Sequence, residues 1–125
     1  MSRILIHEPR STSDECRALL VGQGHDVVVC GDRESLINAL AQQRPDVLVY
    51  VLGALEIDLG VLTVVRRAAP KLPLILLGGP ADLEARRSVQ ELKPTYYGVF
   101  PLEPSELSDA VRGALGHHMG RSHPT

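Results

Sequence analysis

The few side chains in this sequence that could do acid–base or metal chemistry are widely separated, except at one point. His7 and Glu8 are adjacent at the end of the first apolar run. This pair could belong to a metal site, or the histidine could accept a phosphoryl group. The alternative is a buried or half-buried histidine beside a carboxylate with no role. Because neighbouring strand residues point to opposite faces, the two side chains cannot easily share one ion.

A second candidate is the glycine-containing segment 77–80, which could present backbone N–H groups to an anion at the start of a helix. The segment lacks the spacing of the two common phosphate loops, GxxxxGK[ST] and GxGxxG. Glycines that close a turn between a strand and a helix are the competing interpretation.

Histidines and cysteines elsewhere give weaker signals. His117, His118 and His123 could bind a transition metal, or they could belong to a flexible tail. Cys16 is expected to be a small core residue, and Cys30 ends a predicted strand. Neither cysteine has a catalytic partner nearby in the sequence, so no nucleophilic site is predicted.

The composition excludes several classes of protein. The 125 residues include 13 Lys+Arg and 15 Asp+Glu, a net charge of −2, and this near-neutral balance argues against a nucleic-acid-binding surface. The aromatic residues are three tyrosines and one phenylalanine, too few for a base-stacking platform. No apolar run reaches the ~18 residues of a membrane span, and the N-terminus lacks the apolar region of a signal peptide. The sequence therefore predicts one cytoplasmic domain.

Five short apolar runs, at 3–7, 26–30, 46–52, 73–77 and 96–100, predict strands that are covered on both faces. Residues typical of helix starts lie between these runs. They are a capping box at 12–15 for the first helix, Asp32 and Asp58 as N-caps of the second and third, Pro80 as the first residue of the fourth, and Pro104 or Ser105 at the start of the fifth. The apolar residues expected to face the core are Leu19, Leu20, Leu36, Ile37, Leu40, Val61, Val64, Val65, Ala68, Ala85, Val89, Leu92, Leu107, Val111 and Ala114.

Five alternating strand–helix units predict a parallel sheet with helices on both faces, because crossover connections are almost always right-handed. We expect one α/β domain at 1–116. Residues 117–125 have no apolar pattern and are predicted to form a C-terminal tail.

Several segments resemble the receiver domain of bacterial two-component response regulators, and the likeness covers about residues 3–115. The segments are Arg3-Ile4-Leu5-Ile6 followed by an acid, Arg44-Pro45-Asp46-Val47-Leu48-Val49, Leu72-Pro73-Leu74-Ile75-Leu76, and Tyr97-x-x-Phe100-Pro101-Leu102 with Pro104-x-Glu106-Leu107. The resemblance implies a doubly wound, receiver-like or flavodoxin-like fold with strand order 2-1-3-4-5.

The chemistry of that family is phosphoryl transfer to an aspartate, and here the resemblance implies that its site is degenerate. Of the two acidic positions that help to hold Mg²⁺, Glu8 remains and Pro9 replaces the other. Val51 stands at the phosphoacceptor position, Gly78 at the hydroxyl position and Phe100 at the lysine position. Since four of the five positions lack their functional group, we expect no phosphorylation, no Mg²⁺ or other cofactor, and no catalytic residue.

The family often contacts partners, or a second copy, through the face made by the fourth helix, fifth strand and fifth helix. The candidate contact residues on that face are Arg86, Arg87, Tyr97, Leu102, Glu103 and Glu106. Tyr97 also matches an aromatic position that helps receivers to switch, and we expect it to be a fixed core or interface ring.

The predicted function is that of a non-phosphorylatable pseudo-receiver, a protein–protein interaction module in bacterial signal transduction and not an enzyme. It is expected to bind neither nucleic acid nor membrane. The alternative is a phosphorylation-independent sensor that binds a small ligand or anion in the pocket around Glu8, Gly78 and Phe100.

Overall fold

The computed structural model describes residues 2–7, 14–53, 55–78, 83–99 and 103–120, in which strands and helices alternate strictly. The strands are β1 (Arg3–His7), β2 (Asp26–Cys30), β3 (Val47–Val51), β4 (Leu74–Gly78) and β5 (Tyr96–Val99). The helices are α1 (Asp14–Gly22), α2 (Arg33–Gln43), α3 (Leu55–Ala68), α4 (Leu83–Gln90) and α5 (Pro104–Gly120). None of the helices in the described ranges is long and apolar enough to cross a membrane.

The strands form one parallel sheet in the order β2-β1-β3-β4-β5, which confirms the predicted α/β fold. The chain reverses its direction of winding between β1 and β3, so the carboxyl ends of these two strands border the topological switch point. In open α/β sheets this is where ligands usually bind.

Two apolar layers cover the sheet, one on each face. On the α1 and α5 side, alternate strand residues such as Ile6 and Val49 pack with Leu107 and Val111 of α5. On the other side, Leu48 and its neighbours pack with residues of α2, α3 and α4. Because both faces are buried, the central strands are continuously apolar, as the sequence indicated.

The start of α2 confirms a predicted cap. The Asp32 side chain accepts a 2.7 Å hydrogen bond from the backbone N–H of Ser35, and this bond lowers the pKa of the carboxyl. Helix α1 ends at Gly22, and Gly24 follows with φ 92°, a left-handed conformation that glycine adopts without strain. The capping box at 12–15 lies partly outside the described residues.

The third helix corrects the prediction for Asp58. Helix α3 begins at Leu55, so Asp58 lies within the first turn and is not its cap. Its carboxylate instead bonds to groups of the preceding strand and loop. Val61 and Val65 face the core, but Val64 was wrongly predicted to do so and is 53% exposed. It lies one position, about 100°, around the helix from Val65.

Other boundaries differ from the predictions by a few residues. Strand β3 is one residue shorter at each end than predicted, and β4 is shifted by one residue, so Gly78 is its last residue. Ile37 and Ala68, expected in the core, are exposed, whereas the predicted stripe of α5 is buried. Helix α5 continues to Gly120, beyond the predicted start of the tail. The predictions for Pro80 and for the side chains of Cys16 and Ala85 lie outside what the structure describes.

Candidate functional site

The carboxyl edge of the sheet carries the two predicted site positions that the structure describes. Val51 ends β3, where its isopropyl group packs into the core on the α1 and α5 side. It is only 8% exposed and lies in register with Leu77 of β4. An alkyl side chain has no nucleophilic atom, so this position cannot accept a phosphoryl group. Glu8, Pro9 and Phe100 lie outside the described residues.

Gly78 follows Leu77, the β4 residue in register with Val51, and a side chain at Gly78 would point towards the opposite face of the sheet. A Cβ atom at Gly78 would lie 3.3 Å from Cβ and Cδ1 of Leu52 and 3.6 Å from the hydroxyl oxygen of Tyr97. Tyr97 is half-buried and packs against the core on the α2, α3 and α4 side. The phenol therefore occupies space next to the position where the resemblance expects a hydroxyl group.

His7 is buried at the end of β1. Of its two interpretations, this agrees with that of a buried or half-buried histidine. It lies in register between Cys30 of β2 and Tyr50 of β3, and its ring stacks on Tyr50 with centroids 4.5 Å apart. Its Nδ1 atom has no hydrogen-bond partner. Burial lowers the pKa of His7, although Asp58 and Asp32 act in the opposite direction. A neutral, stacked imidazole is poorly suited to binding an anion.

Tyr50 and Asp58 form a buried polar contact in this region. The phenol donates a 2.7 Å hydrogen bond to Oδ1 of Asp58, and the backbone N–H of Gly53 donates a 2.6 Å bond to Oδ2. Burial raises the pKa of Tyr50, and the bond to Asp58 raises it further. The phenol therefore stays protonated and acts as a donor over the physiological pH range.

Cys30 is buried beside His7 but is not a reactive thiol. Its Sγ donates a long, 3.6 Å hydrogen bond to the backbone carbonyl of Ile6. Burial raises the pKa of this thiol to about 11, and the nearby Asp32 carboxylate acts in the same direction. Because the thiolate is the nucleophilic form, this cysteine is inert at neutral pH. Within the described ranges, no three metal-ligating side chains come together.

The sequence analysis missed the Tyr50–Asp58 hydrogen bond, although one signal pointed to it. Tyr50 interrupts an otherwise aliphatic buried strand, and a buried phenol almost always has a hydrogen-bond partner. Asp58 follows in the next helix and is one of the few polar side chains buried in the structure. A search for the partner of Tyr50 would have led to it.

The predicted contact face is described in part. Arg86 and Arg87 are exposed on α4 and, with Gln90 and Glu91, line an open cleft of about 460 Å³. Glu103 is exposed, and Leu102 lies outside the described residues.

The arginines of α4 do not pair with the acids near α5. Glu106 accepts a hydrogen bond from the Tyr96 hydroxyl, which raises the pKa of that phenol. Among the residues described, neither Arg86 nor Arg87 forms an ion pair with Glu103 or Glu106. The face therefore presents separate positive and negative side chains.

Comparison with known proteins identifies the fold. The sequence is 31% identical over 93 residues to a probable transcriptional regulator, ycf27, of Guillardia theta, and the match covers 74% of this chain and 36% of that protein. The protein of the same name from Porphyridium aerugineum is 29% identical over 93 residues, and the match covers 74% of this chain and 38% of that protein. The chain thus spans little more than a third of the length of the curated relatives it matches. No protein-family model matches the sequence.

The solved structures give a closer match in three dimensions. The response regulator receiver domain protein (CheY-like) of Methanospirillum hungatei superimposes with a TM-score of 0.86 at 18% identity, over 98% of this chain and 99% of that chain. At this level of identity the likeness concerns the fold. The chain therefore has the receiver fold of the response regulators, and the resemblance predicted from its sequence is confirmed.

Proposed function

We propose that this chain is a receiver-like module of two-component signalling that acts without aspartyl phosphorylation, through contact with another protein in the cytoplasm. The observation that carries the proposal is Val51. The position that the resemblance assigns to the phosphoacceptor holds a buried alkyl group, packed in the core at the end of β3. The receiver fold is thus retained while its reactive carboxylate is absent from that position.

The surroundings of Val51 support the same proposal. The neutral, stacked His7 and the protonated thiol of Cys30 provide neither a nucleophile nor a cationic anion site. Asp58 is the buried carboxylate in this region, and both of its oxygens already accept hydrogen bonds. Its use as an acceptor of phosphate would break both bonds, so we infer no substitute acceptor there.

The contact surface we propose is the α4–β5–α5 face. It combines the exposed Arg86 and Arg87 with the half-buried Tyr97, residue types that often dominate the binding energy of protein interfaces. The partner is a signalling protein or a second copy of this chain. No enzymatic step is required for this role.

The experiment that tests the loss of phosphorylation is a ¹⁵N–¹H correlation spectrum recorded with and without Mg²⁺ and beryllofluoride, a mimic of an aspartyl phosphate. We expect the amide signals of Val51, Leu52 and Gly78 to stay in place. A shift that disappears in Glu8→Gln but also occurs with Mg²⁺ alone would instead support a ligand sensor. A shift that requires beryllofluoride would identify a working acceptor and overturn the proposal.

The contact role is tested separately by sedimentation of the purified chain. If the partner is a second copy, the double substitution of Arg86 and Arg87 by glutamate should weaken self-association. The matched control is the double substitution of Arg33 and Arg67 by glutamate, which makes the same change of charge at exposed residues of α2 and α3, outside this face. Equal effects of both changes would argue against the α4–β5–α5 face.

A further inference from the structure

Three cationic residues occupy equivalent positions at the amino edge of the sheet, opposite the edge that carries Val51 and Gly78. Arg44, Lys71 and Lys93 each lie three residues before the first residue of β3, β4 and β5, respectively. These strands are neighbours in the sheet, and adjacent strands are about 4.8 Å apart. The three loops therefore lie side by side, each with one cation.

The backbone at two of these positions is unusual for the residues that occupy it. Arg44 has φ 47° and Lys93 has φ 53°, in the left-handed region that glycine adopts most readily. A residue with a side chain is destabilised in this conformation. Each follows a helix, α2 or α4, at a point where glycine is the usual residue. Strained conformations that persist often mark functional positions.

The three cations have no partners among the described residues. Arg44, Lys71 and Lys93 are exposed, and none forms a hydrogen bond or ion pair through its side chain. Two acids nearby contact Arg3 instead: Oδ2 of Asp46 accepts a 2.8 Å bond from its backbone N–H, and Asp26 pairs with its guanidinium at 2.9 Å. The side chains of the three cations are thus left to pair with carboxylates of another molecule.

Arg66 holds two of the three loops together. Its Nη1 donates a 2.7 Å hydrogen bond to the carbonyl of Leu72, and its Nε donates a 3.0 Å bond to the carbonyl of Leu92. Leu72 and Leu92 are the neighbours of Lys71 and Lys93 in sequence. The guanidinium therefore fixes the position of the loop that carries Lys71 relative to the loop that carries Lys93.

A cavity of about 340 Å³ lies between the loops that precede β3 and β4. Its lining is largely apolar and includes three prolines, Pro45, Pro70 and Pro73. Lys71 and Asp46 also line it. Prolines have no N–H group and restrict the backbone, so they form a stiff apolar wall. The cavity lies beside the cations and is suited to an apolar side chain.

We propose that this amino edge is a docking surface for an acidic peptide segment of another protein. Carboxylates of the segment would pair with Arg44, Lys71 and Lys93, and one apolar side chain would enter the proline-lined cavity. The apolar cavity favours a peptide over a nucleic acid, as does the net charge of −2 of the whole chain. This surface is distinct from the α4–β5–α5 face and lies at the edge of the sheet opposite Val51.

The test uses the full chain and a fluorescein-labelled peptide, EELEELEE, with the lysine-substituted peptide KKLKKLKK as its control. We expect the acidic peptide to bind, to shift the amide signals of Arg44, Lys71 and Lys93, and to bind more weakly as salt is added. Lys71→Glu should lower the affinity by roughly tenfold or more, because it replaces attraction by repulsion. Arg33→Glu, an equal charge change at the opposite edge, should leave the affinity within about twofold.

Three results would overturn the proposal. They are the absence of binding at millimolar peptide, an equal loss with Arg33→Glu, and tighter binding of an oligothymidylate of similar length, which would indicate a nucleic-acid surface. Lys71 is an exposed loop residue with no side-chain bond, so Lys71→Glu is expected to fold. Its unchanged far-ultraviolet circular dichroism and melting temperature would confirm this.

Discussion

The phenolic hydroxyl of Tyr50 and Oδ1 of Asp58 lie 2.7 Å apart, and both side chains are buried. Tyr50 belongs to β3, while Asp58 belongs to the first turn of α3, so the bond ties the strand to the helix. The other oxygen of Asp58 accepts the N–H of Gly53 in the loop between them. One carboxylate thus holds together the strand, the loop and the helix that follow one another around Val51.

Tyr50→Phe tests the strength of this connection, because it removes the hydroxyl and keeps the ring stacked on His7. Oδ1 of Asp58 would then lack its donor in a buried site, which costs about 1–3 kcal/mol. We expect the free energy of unfolding to fall by that amount in urea denaturation. Asp58→Ala should cost more, since it also leaves the N–H of Gly53 without its acceptor.

Tyr96→Phe is the matched control for this prediction. Tyr96 also donates a hydrogen bond to a carboxylate, that of Glu106, but the pair is closer to solvent. Water can replace the lost bond there, so the loss of stability should be smaller. If Tyr50→Phe destabilised the protein no more than Tyr96→Phe, the Tyr50–Asp58 bond would not be what ties β3 to α3.

His7 predicts how the stability depends on pH. Its pKa in the folded protein is below the ordinary value of 6.5, chiefly because burial disfavours the charged form. The unfolded chain therefore binds more protons than the folded chain as the pH falls from 6.5, and the free energy of unfolding decreases. Over that window the contribution of one such group has a slope of at most about 1.4 kcal/mol per pH unit. Above 6.5 this contribution is fully present.

The measurement is urea denaturation of the wild type and of His7→Phe at a series of pH values between about 8 and about 5. The phenyl ring retains the stacking on Tyr50 and cannot be protonated, so the decrease below 6.5 should become shallower. The carboxylates of Asp58 and Asp32, which act on His7, are kept in the variant, so the two proteins differ only at position 7. Parallel curves for the two proteins would contradict the assignment to His7.

The left-handed backbone at Arg44 and Lys93 predicts two stabilising substitutions. Glycine adopts this conformation without a Cβ clash, so Arg44→Gly and Lys93→Gly should each raise the free energy of unfolding by about 1 kcal/mol. Lys71→Gly is the control, because its backbone is not left-handed and glycine there only adds freedom to the unfolded chain. Gains at Arg44 and Lys93, combined with weaker binding of the acidic peptide, would show that the cations serve binding at the expense of stability.

The sequence was informative about the sheet because its central strands are buried on both faces. Continuous apolar runs such as Val47–Val51 leave little freedom in their assignment, and only their ends were misplaced. The orientation of α3 was harder to predict. Its valines at 61, 64 and 65 look alike in sequence, but the helix can turn only some of them towards the core.

The candidate site was predictable only in part, for a related reason. The sequence alone shows that Val51 and Gly78 carry neither a carboxylate nor a hydroxyl group. The bond between Tyr50 and Asp58 depends on how α3 packs on β3, which no local pattern encodes. The row formed by Arg44, Lys71 and Lys93 likewise emerges only when β3, β4 and β5 lie side by side.

Arg66 provides the last prediction, because its guanidinium connects the loops before β4 and β5. It is half-buried, and burial lowers its pKa, but the charge is retained and donates to the carbonyls of Leu72 and Leu92. Arg66→Ala should lower the free energy of unfolding by about 2 kcal/mol and speed amide hydrogen exchange at Thr95, which bonds to Leu74. Arg66→Lys should recover little, because an ammonium group cannot reproduce the fork of donors. Arg67→Ala, at the exposed neighbouring position, should change neither the free energy of unfolding nor the exchange rate at Thr95. An equal effect at Arg67 would mean that lost helix propensity or charge explains the result, and not the hydrogen bonds of Arg66 to the two loops.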